Sequence, residues 1–98
     1  MARFDKIAVL NKIGSTGMVP VFYHKDAEVA KKVVKACYDG GVRAFEFTNR
    51  GDFAHEVFAE VVKYAAKDFP VFSMGLGFFV DPASAALYLH LVACFVVV

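Results

Sequence analysis

Charge is scarce in the last third of this 98-residue sequence. Asp81 is the only charged residue between positions 69 and 98, and 22 residues of that segment are apolar. Such a segment must be buried on most of its sides, either by this chain or by another. Its longest charge-free run, 82–98, has 17 residues, whereas a membrane-spanning helix needs about 20. We therefore expect no membrane segment.

An excess of charge of either sign is also missing. The net charge is +1 at pH 7, which argues against a nucleic-acid partner, and the 58% hydrophobic content excludes a disordered chain. The two cysteines, Cys37 and Cys94, lack the spacing of metal ligands, so we expect neither a metal nor another cofactor. Charged residues Arg3, Asp5 and Lys6 lie where the apolar core of a signal peptide would begin, which predicts a cytoplasmic protein.

Helical and extended patterns alternate along the chain. Asp26, Asp52 and Asp81 predict the starts of three helices between strands, and 4–13 has helical spacing. Strands separated by such helices pair in parallel. The sequence thus predicts one α/β domain over 1–98, an N-terminal helix followed by (βα)3β with a parallel four-stranded sheet. The predicted strands are 18–23, 42–48, 71–80 and 93–98. The helix after Asp52 has a predicted buried face that consists of Phe53, Val57, Phe58, Val61 and Ala65.

The second predicted strand carries a carboxylate in its middle. Alternation places Ala44, Glu46 and Thr48 on one face of the sheet and Phe45 and Phe47 on the other, towards the helices. A glutamate so placed in a parallel barrel is a candidate general acid or base. The residues alone leave open the alternative that Glu46 lies on a solvated face.

Three segments together resemble the first half of a known enzyme family. They are Val19-Pro-Val-Phe-Tyr23, Ala36-Cys-Tyr-Asp-Gly-Gly-Val-Arg-Ala-Phe-Glu-Phe-Thr-Asn-Arg50 and Gly75-Leu-Gly77. The Gly-Gly-Val-Arg turn and the Glu-x-Thr-x-Arg strand end occur together at the family's spacing. The chain is similar, throughout its length but less so after Pro70, to the aldolases that act on 2-keto-3-deoxy-6-phosphogluconate and 4-hydroxy-2-oxoglutarate.

The resemblance implies that this chain is a partial (half) TIM barrel. The family itself has a full TIM barrel, forms trimers and cleaves its substrates to pyruvate through a lysine Schiff base. By the same resemblance, Glu46 is the acid/base carboxylate, and Arg50 and Thr48 bind substrate. The family's Schiff-base lysine lies on the sixth strand, whereas this sequence contains four. We therefore expect no catalytic activity. Two alternatives stay open: an aldolase-type lyase that uses another lysine such as Lys25, and a small module that binds phosphate or carboxylate at the Arg50 end.

Apolar residues occupy positions that are polar in the family, namely Phe78, Val97 and Val98. This pattern predicts an engineered or truncated half barrel with a structural role, whose sheet edge and inner face are covered by self-association. The expected partner is a second copy of the chain in a homodimer of eight strands, with a trimer as the alternative. A rearranged monomer, whose helices cover both faces of the sheet, also stays open. The predicted association face comprises Val19, Val21, Met74, Leu76, Phe78, Val96 and Val98.

Overall fold

The computed structural model describes residues 3–77, 81–91 and 93–97. Helices and strands alternate along the chain, as the sequence pattern predicts. None of the helices in these three ranges is both long and apolar enough to cross a bilayer. The element bounds are α1 Lys6–Thr16, β1 Val21–Phe22, α2 Ala27–Asp39, β2 Ala44–Thr48, α3 Ala54–Asp68, β3 Ser73–Gly77, α4 Pro82–His90 and β4 Val96–Val97.

The four strands form one sheet, in which they lie in sequence order and all run parallel. A helix connects each strand to the next, because parallel neighbours need a crossover and cannot be joined by a tight turn. The predicted fold class, an α/β chain with a parallel four-stranded sheet and an N-terminal helix, is confirmed. The alternation of strand and helix is consistent with half of a TIM barrel.

The strands are shorter than the apolar runs that predicted them. β1 and β4 each contain two residues, although the sequence predicts six residues for each. β3 begins at Ser73, and residues 78–80 of its predicted range lie outside the described residues. The central strands β2 and β3 pair over five residues, whereas β1 and β4 each pair over two. Apolar runs overestimate the outer strands because each of these has only one neighbour with which to form backbone hydrogen bonds.

Two of the three predicted aspartate caps are confirmed. Oδ1 of Asp26 accepts a hydrogen bond from Glu28 N–H at 2.9 Å, at the start of α2. Oδ1 of Asp81 accepts one from Ser84 N–H at 2.8 Å, at the start of α4, where Pro82 is the first helical residue. The hydrogen bond from Ser84 N–H lowers the pKa of Asp81, because it stabilises the charged carboxylate.

The predicted start of α3 is wrong. The capping position belongs to Phe53, not to Asp52, and no side chain forms a cap hydrogen bond there. Phe53 adopts the left-handed conformation, with φ of 58°, and Ala54 N–H donates to Gly51 O at 3.2 Å instead. Phe53 is 67% exposed and so lies outside the buried face in which the sequence pattern places it. The rest of the predicted buried face is correct, since Phe58, Val61 and Ala65 are buried and Val57 packs against the core.

The hydrophobic core lies between one face of the sheet and the helices α2, α3 and α4. The ring centroid of Phe58, in α3, lies 6.0 Å from that of Phe47 in β2 and 5.4 Å from that of Tyr88 in α4. This one residue therefore joins the sheet to two helices. The sheet contributes Phe45, Phe47, Met74 and Leu76 to the core, and the helices contribute Ala30, Val34, Phe58, Val61, Val62, Ala65 and Tyr88.

Helix α1 packs at the start of β3, away from the other helices. Nζ of Lys12 donates to Val71 O at 2.6 Å and to Ser73 Oγ at 3.3 Å. Desolvation of the ammonium group by burial lowers the pKa of Lys12. Val9 is the buried apolar residue of this helix. A polar contact thus holds α1 against the amino end of the sheet.

Replacing Phe58 by alanine removes the ring that joins β2, α3 and α4. We expect Phe58→Ala to lower the free energy of unfolding by about 3–5 kcal/mol, because the cavity cannot collapse between a sheet and two helices. The exposed Phe53 is the matched control, and Phe53→Ala should change the free energy by no more than about 0.5 kcal/mol. Urea unfolding followed by circular dichroism measures both. Equal effects of the two substitutions would contradict the observed start of α3.

The stability of the fold should depend on pH through Tyr88. The hydroxyl of Tyr88 donates to Asn49 Oδ1 at 2.9 Å, and burial raises the pKa of Tyr88 from 10.0 to about 12. Because the folded-state pKa is raised, the contribution to stability is complete below about pH 10 and is lost as the pH rises through about 12. Tyr88→Phe should therefore reduce the fall in unfolding free energy over that interval. Urea unfolding at a series of alkaline pH values measures it, and parallel curves for the two proteins would refute the assignment.

Candidate functional site

The register of the strands defines which residues share a face of the sheet. In parallel strands, residues that pair in register have side chains on the same side. Glu46 pairs with Val21 of β1 and Gly75 of β3, and Thr48 pairs with Gly77. We call this side the Glu46 face; it comprises Val21, Ala44, Glu46, Thr48, Ser73, Gly75, Gly77 and Val97.

The predicted association face is wrong for β3. Met74 pairs with Phe45 and Leu76 pairs with Phe47, so both lie on the core face, opposite Glu46. They are 3% and 0% exposed and belong to the core cluster. The physical reason is close packing, because Phe95 and Glu46 lie over Gly75 and Gly77 on the other face and leave no room there for larger side chains.

The other members of the predicted face fall into three groups. Val96 pairs with Leu76 and is therefore also on the side opposite Glu46, contrary to the prediction. Val21 does lie on the Glu46 face, and Val19 is half-buried before β1 begins. Phe78 and Val98 lie outside the described residues.

Two glycines of β3 allow neighbouring side chains to lie over this strand. A Cβ atom on Gly75 would overlap the ring of Phe95, and one on Gly77 would overlap the carboxylate of Glu46. A Cβ on Gly77 would also lie 3.0 Å from Cβ of Val97. Side chains from β2 and from the β4 segment thus occupy the space that β3 leaves empty. The alternating glycines are the signal from which the sequence could have revealed this close packing.

Glu46 and Thr48 are both buried on the Glu46 face, at 9% and 3% exposure. Within the described part of the chain, Thr48 Oγ1 has no hydrogen-bond partner, and Glu46 forms no side-chain hydrogen bond or ion pair. Arg50, whose N–H donates to Thr48 O at 3.0 Å, is exposed beyond the end of β2. The strand therefore brings Glu46 and Thr48 onto one face, whereas Arg50 forms no ion pair with Glu46.

Both outer strands of the sheet have one open edge. β1 pairs only with β2, and β4 pairs only with β3, among the strands that the structure describes. Valine side chains are exposed at both edges: Val21 is 54% exposed in β1, and Val96 and Val97 are 37% and 42% exposed in β4. Unpaired backbone groups beside exposed apolar residues are the usual template for pairing with another strand.

The chain matches no protein-family model and no curated protein. Groups of three or more residues able to bind a metal ion are also missing from the ranges that the structure covers. The two cysteines are both half-buried thiols, and burial raises the pKa of Cys37. The roles that the aldolase resemblance implies for Glu46, Thr48 and Arg50 therefore stay predictions.

The contact between Phe95 and Gly75 generates a prediction that involves two substitutions. Gly75→Ala should destabilise the protein by about 1–3 kcal/mol, because the new methyl group displaces the Phe95 ring. In a Phe95→Ala background the ring is gone, so the same substitution should be neutral or slightly stabilising. A double-mutant cycle by urea unfolding measures this coupling. An equal cost of Gly75→Ala in both backgrounds would show that Phe95 does not lie over Gly75.

Proposed function

We propose that this chain is a structural half barrel that associates with a second copy of itself through the open edges of its sheet. In the proposed homodimer, β4 of each copy pairs with β1 of the other. A two-fold axis along the barrel keeps all eight strands parallel, as a closed barrel requires. The observation that carries this proposal is the pair of open parallel edges with exposed valines at Val21, Val96 and Val97.

Pairing at the edges would give hydrogen-bond partners to the backbone of the outer strands and would bury their exposed valines. Parallel sheets are normally enclosed, because their backbone groups and apolar side chains are both costly to expose. A two-fold dimer forms the β4–β1 junction twice, so each favourable contact counts double. The Glu46 face is a weaker candidate for the interface, because the side chains of Glu46 and Phe95 already lie over its glycines.

The aldolase resemblance supports this half-barrel interpretation. It also implies that the chain lacks the group that carries out the family's reaction. The Schiff-base lysine of that family belongs to a sixth strand, and the four strands here consist of residues other than lysine. The amine of Lys12 reaches this face, but it contacts Val71 O and Ser73 Oγ at the amino end of the sheet, whereas the active sites of parallel barrels lie at the carboxyl ends of the strands. We expect no aldolase activity.

Mass in solution tests the proposal directly. We expect light scattering at micromolar concentration to give the mass of two chains. Val96→Lys should weaken the dimer by about tenfold at each junction, or about a hundredfold in all, since it places a charge where two strands meet. Leu89→Lys is the matched control, because Leu89 is 39% exposed on α4 and Val96 is 37% exposed on β4. Circular dichroism verifies that both variants fold.

A folded monomer of the unmodified chain would refute the proposal. A trimer, or equal weakening by Val96→Lys and Leu89→Lys, would refute the closed two-fold arrangement.

Treatment with pyruvate and cyanoborohydride tests the absence of Schiff-base chemistry. The expected mass spectrum shows the unmodified chain only. A pyruvyl adduct on one particular lysine would instead support the lyase alternative.

A further inference from the structure

A cleft of about 520 Å³ lies beyond the carboxyl ends of β1 and β2. The β1–α2 loop contributes Tyr23, His24 and Lys25 to its walls, and the β2–α3 loop contributes Gly51 and Asp52. Ligands of open parallel sheets bind at this end, and the volume suits a small metabolite. The proposed self-association uses the sheet edges and not these residues, so the cleft is a separate feature.

Close packing shapes one wall of the cleft. The ring centroid of Tyr23 lies 5.5 Å from that of Phe47, which anchors the tyrosine on the core. The hydroxyl of Tyr23 rests against Gly51, where a Cβ atom would overlap it. The two loops are therefore in direct contact, and the tyrosine hydroxyl is held at the cleft.

A backbone hydrogen bond orients His24. Its Nδ1 accepts from Asp26 N–H at 3.0 Å, so the neutral imidazole carries its proton on Nε2 and can donate there. The carboxylate of Asp26 is engaged as the cap of α2, where it accepts from Glu28 N–H. His24 and Lys25 thus offer hydrogen-bond donors to a ligand, and Asp52 is the acidic residue of the wall.

We propose that this cleft binds a small oxyanion, a carboxylate or phosphate group, through Lys25 and His24 with the hydroxyl of Tyr23 beside them. Three consecutive residues that line one cleft each supply a donor, one of them an ammonium group, and such donors match the acceptor oxygens of an anion. The carboxylate of Asp52 repels an anionic ligand, so it lowers the affinity of the cleft. The site uses neither Glu46 nor Thr48, which lie on the Glu46 face.

Titration of ¹⁵N-labelled protein with inorganic phosphate, against sodium chloride at matched ionic strength, tests the site. We expect saturable amide shifts confined to the loops that carry His24, Lys25 and Gly51. Lys25→Gln should weaken binding by about two- to fivefold, and Asp52→Asn should strengthen it by a similar factor, because each changes one partly exposed charge beside the anion. The opposite signs make the test independent of any general loss of folding.

Three outcomes would overturn the proposal. The first is the absence of saturable shifts with phosphate. The second is the reverse pair of effects, with Lys25→Gln strengthening and Asp52→Asn weakening binding. The third is loss of binding in Arg50→Gln with Lys25→Gln unaffected, which would place the anion at the exposed Arg50 instead. None of these outcomes depends on the mass in solution, so this proposal and the self-association proposal fail separately.

Discussion

The packing of β3 against its neighbours determines how the two sides of this sheet differ. β3 directs Met74 and Leu76 into the layer beneath the helices and presents Gly75 and Gly77 to the other side. Phe95 and Glu46 then lie so close to the glycines that a Cβ atom on Gly75 or Gly77 would overlap them. The core is consequently deep on the helix side, whereas the opposite side is shallow and closed by side chains that lean across it.

In the proposed dimer, this difference leaves the edges of the sheet as the surface for association. A broad apolar inner face would favour face-to-face docking, but the residues expected to form it on β3 are buried in the core. The two outermost strands instead carry exposed valines, Val21 on β1 and Val96 and Val97 on β4. The self-association proposal therefore depends on strand pairing, and it does not use the cleft residues His24, Lys25 and Asp52.

The sequence predicted the alternation of helix and strand because aspartate caps and apolar runs are local signals. Asp26 and Asp81 could be identified as caps, and Glu46 and Thr48 could be placed on one face because phenylalanines alternate with them. Which face of the sheet receives the large side chains of β3 could not be predicted. Glycine and larger apolar residues alternate in this strand, and the local sequence is compatible with either orientation. The packing of Phe95 and Glu46 over Gly75 and Gly77 decides it, and both of those side chains come from other strands or segments of the chain.

Nuclear Overhauser effects in solution test the arrangement of β3 most directly. The account predicts contacts between the ring protons of Phe95 and the α-protons of Gly75, together with contacts between the ring of Phe47 and the methyl groups of Leu76. Contacts of the Phe95 ring with the side chains of Met74 and Leu76, in place of those to Gly75, would contradict it. They would mean that β3 is turned over, with its large side chains on the Glu46 face.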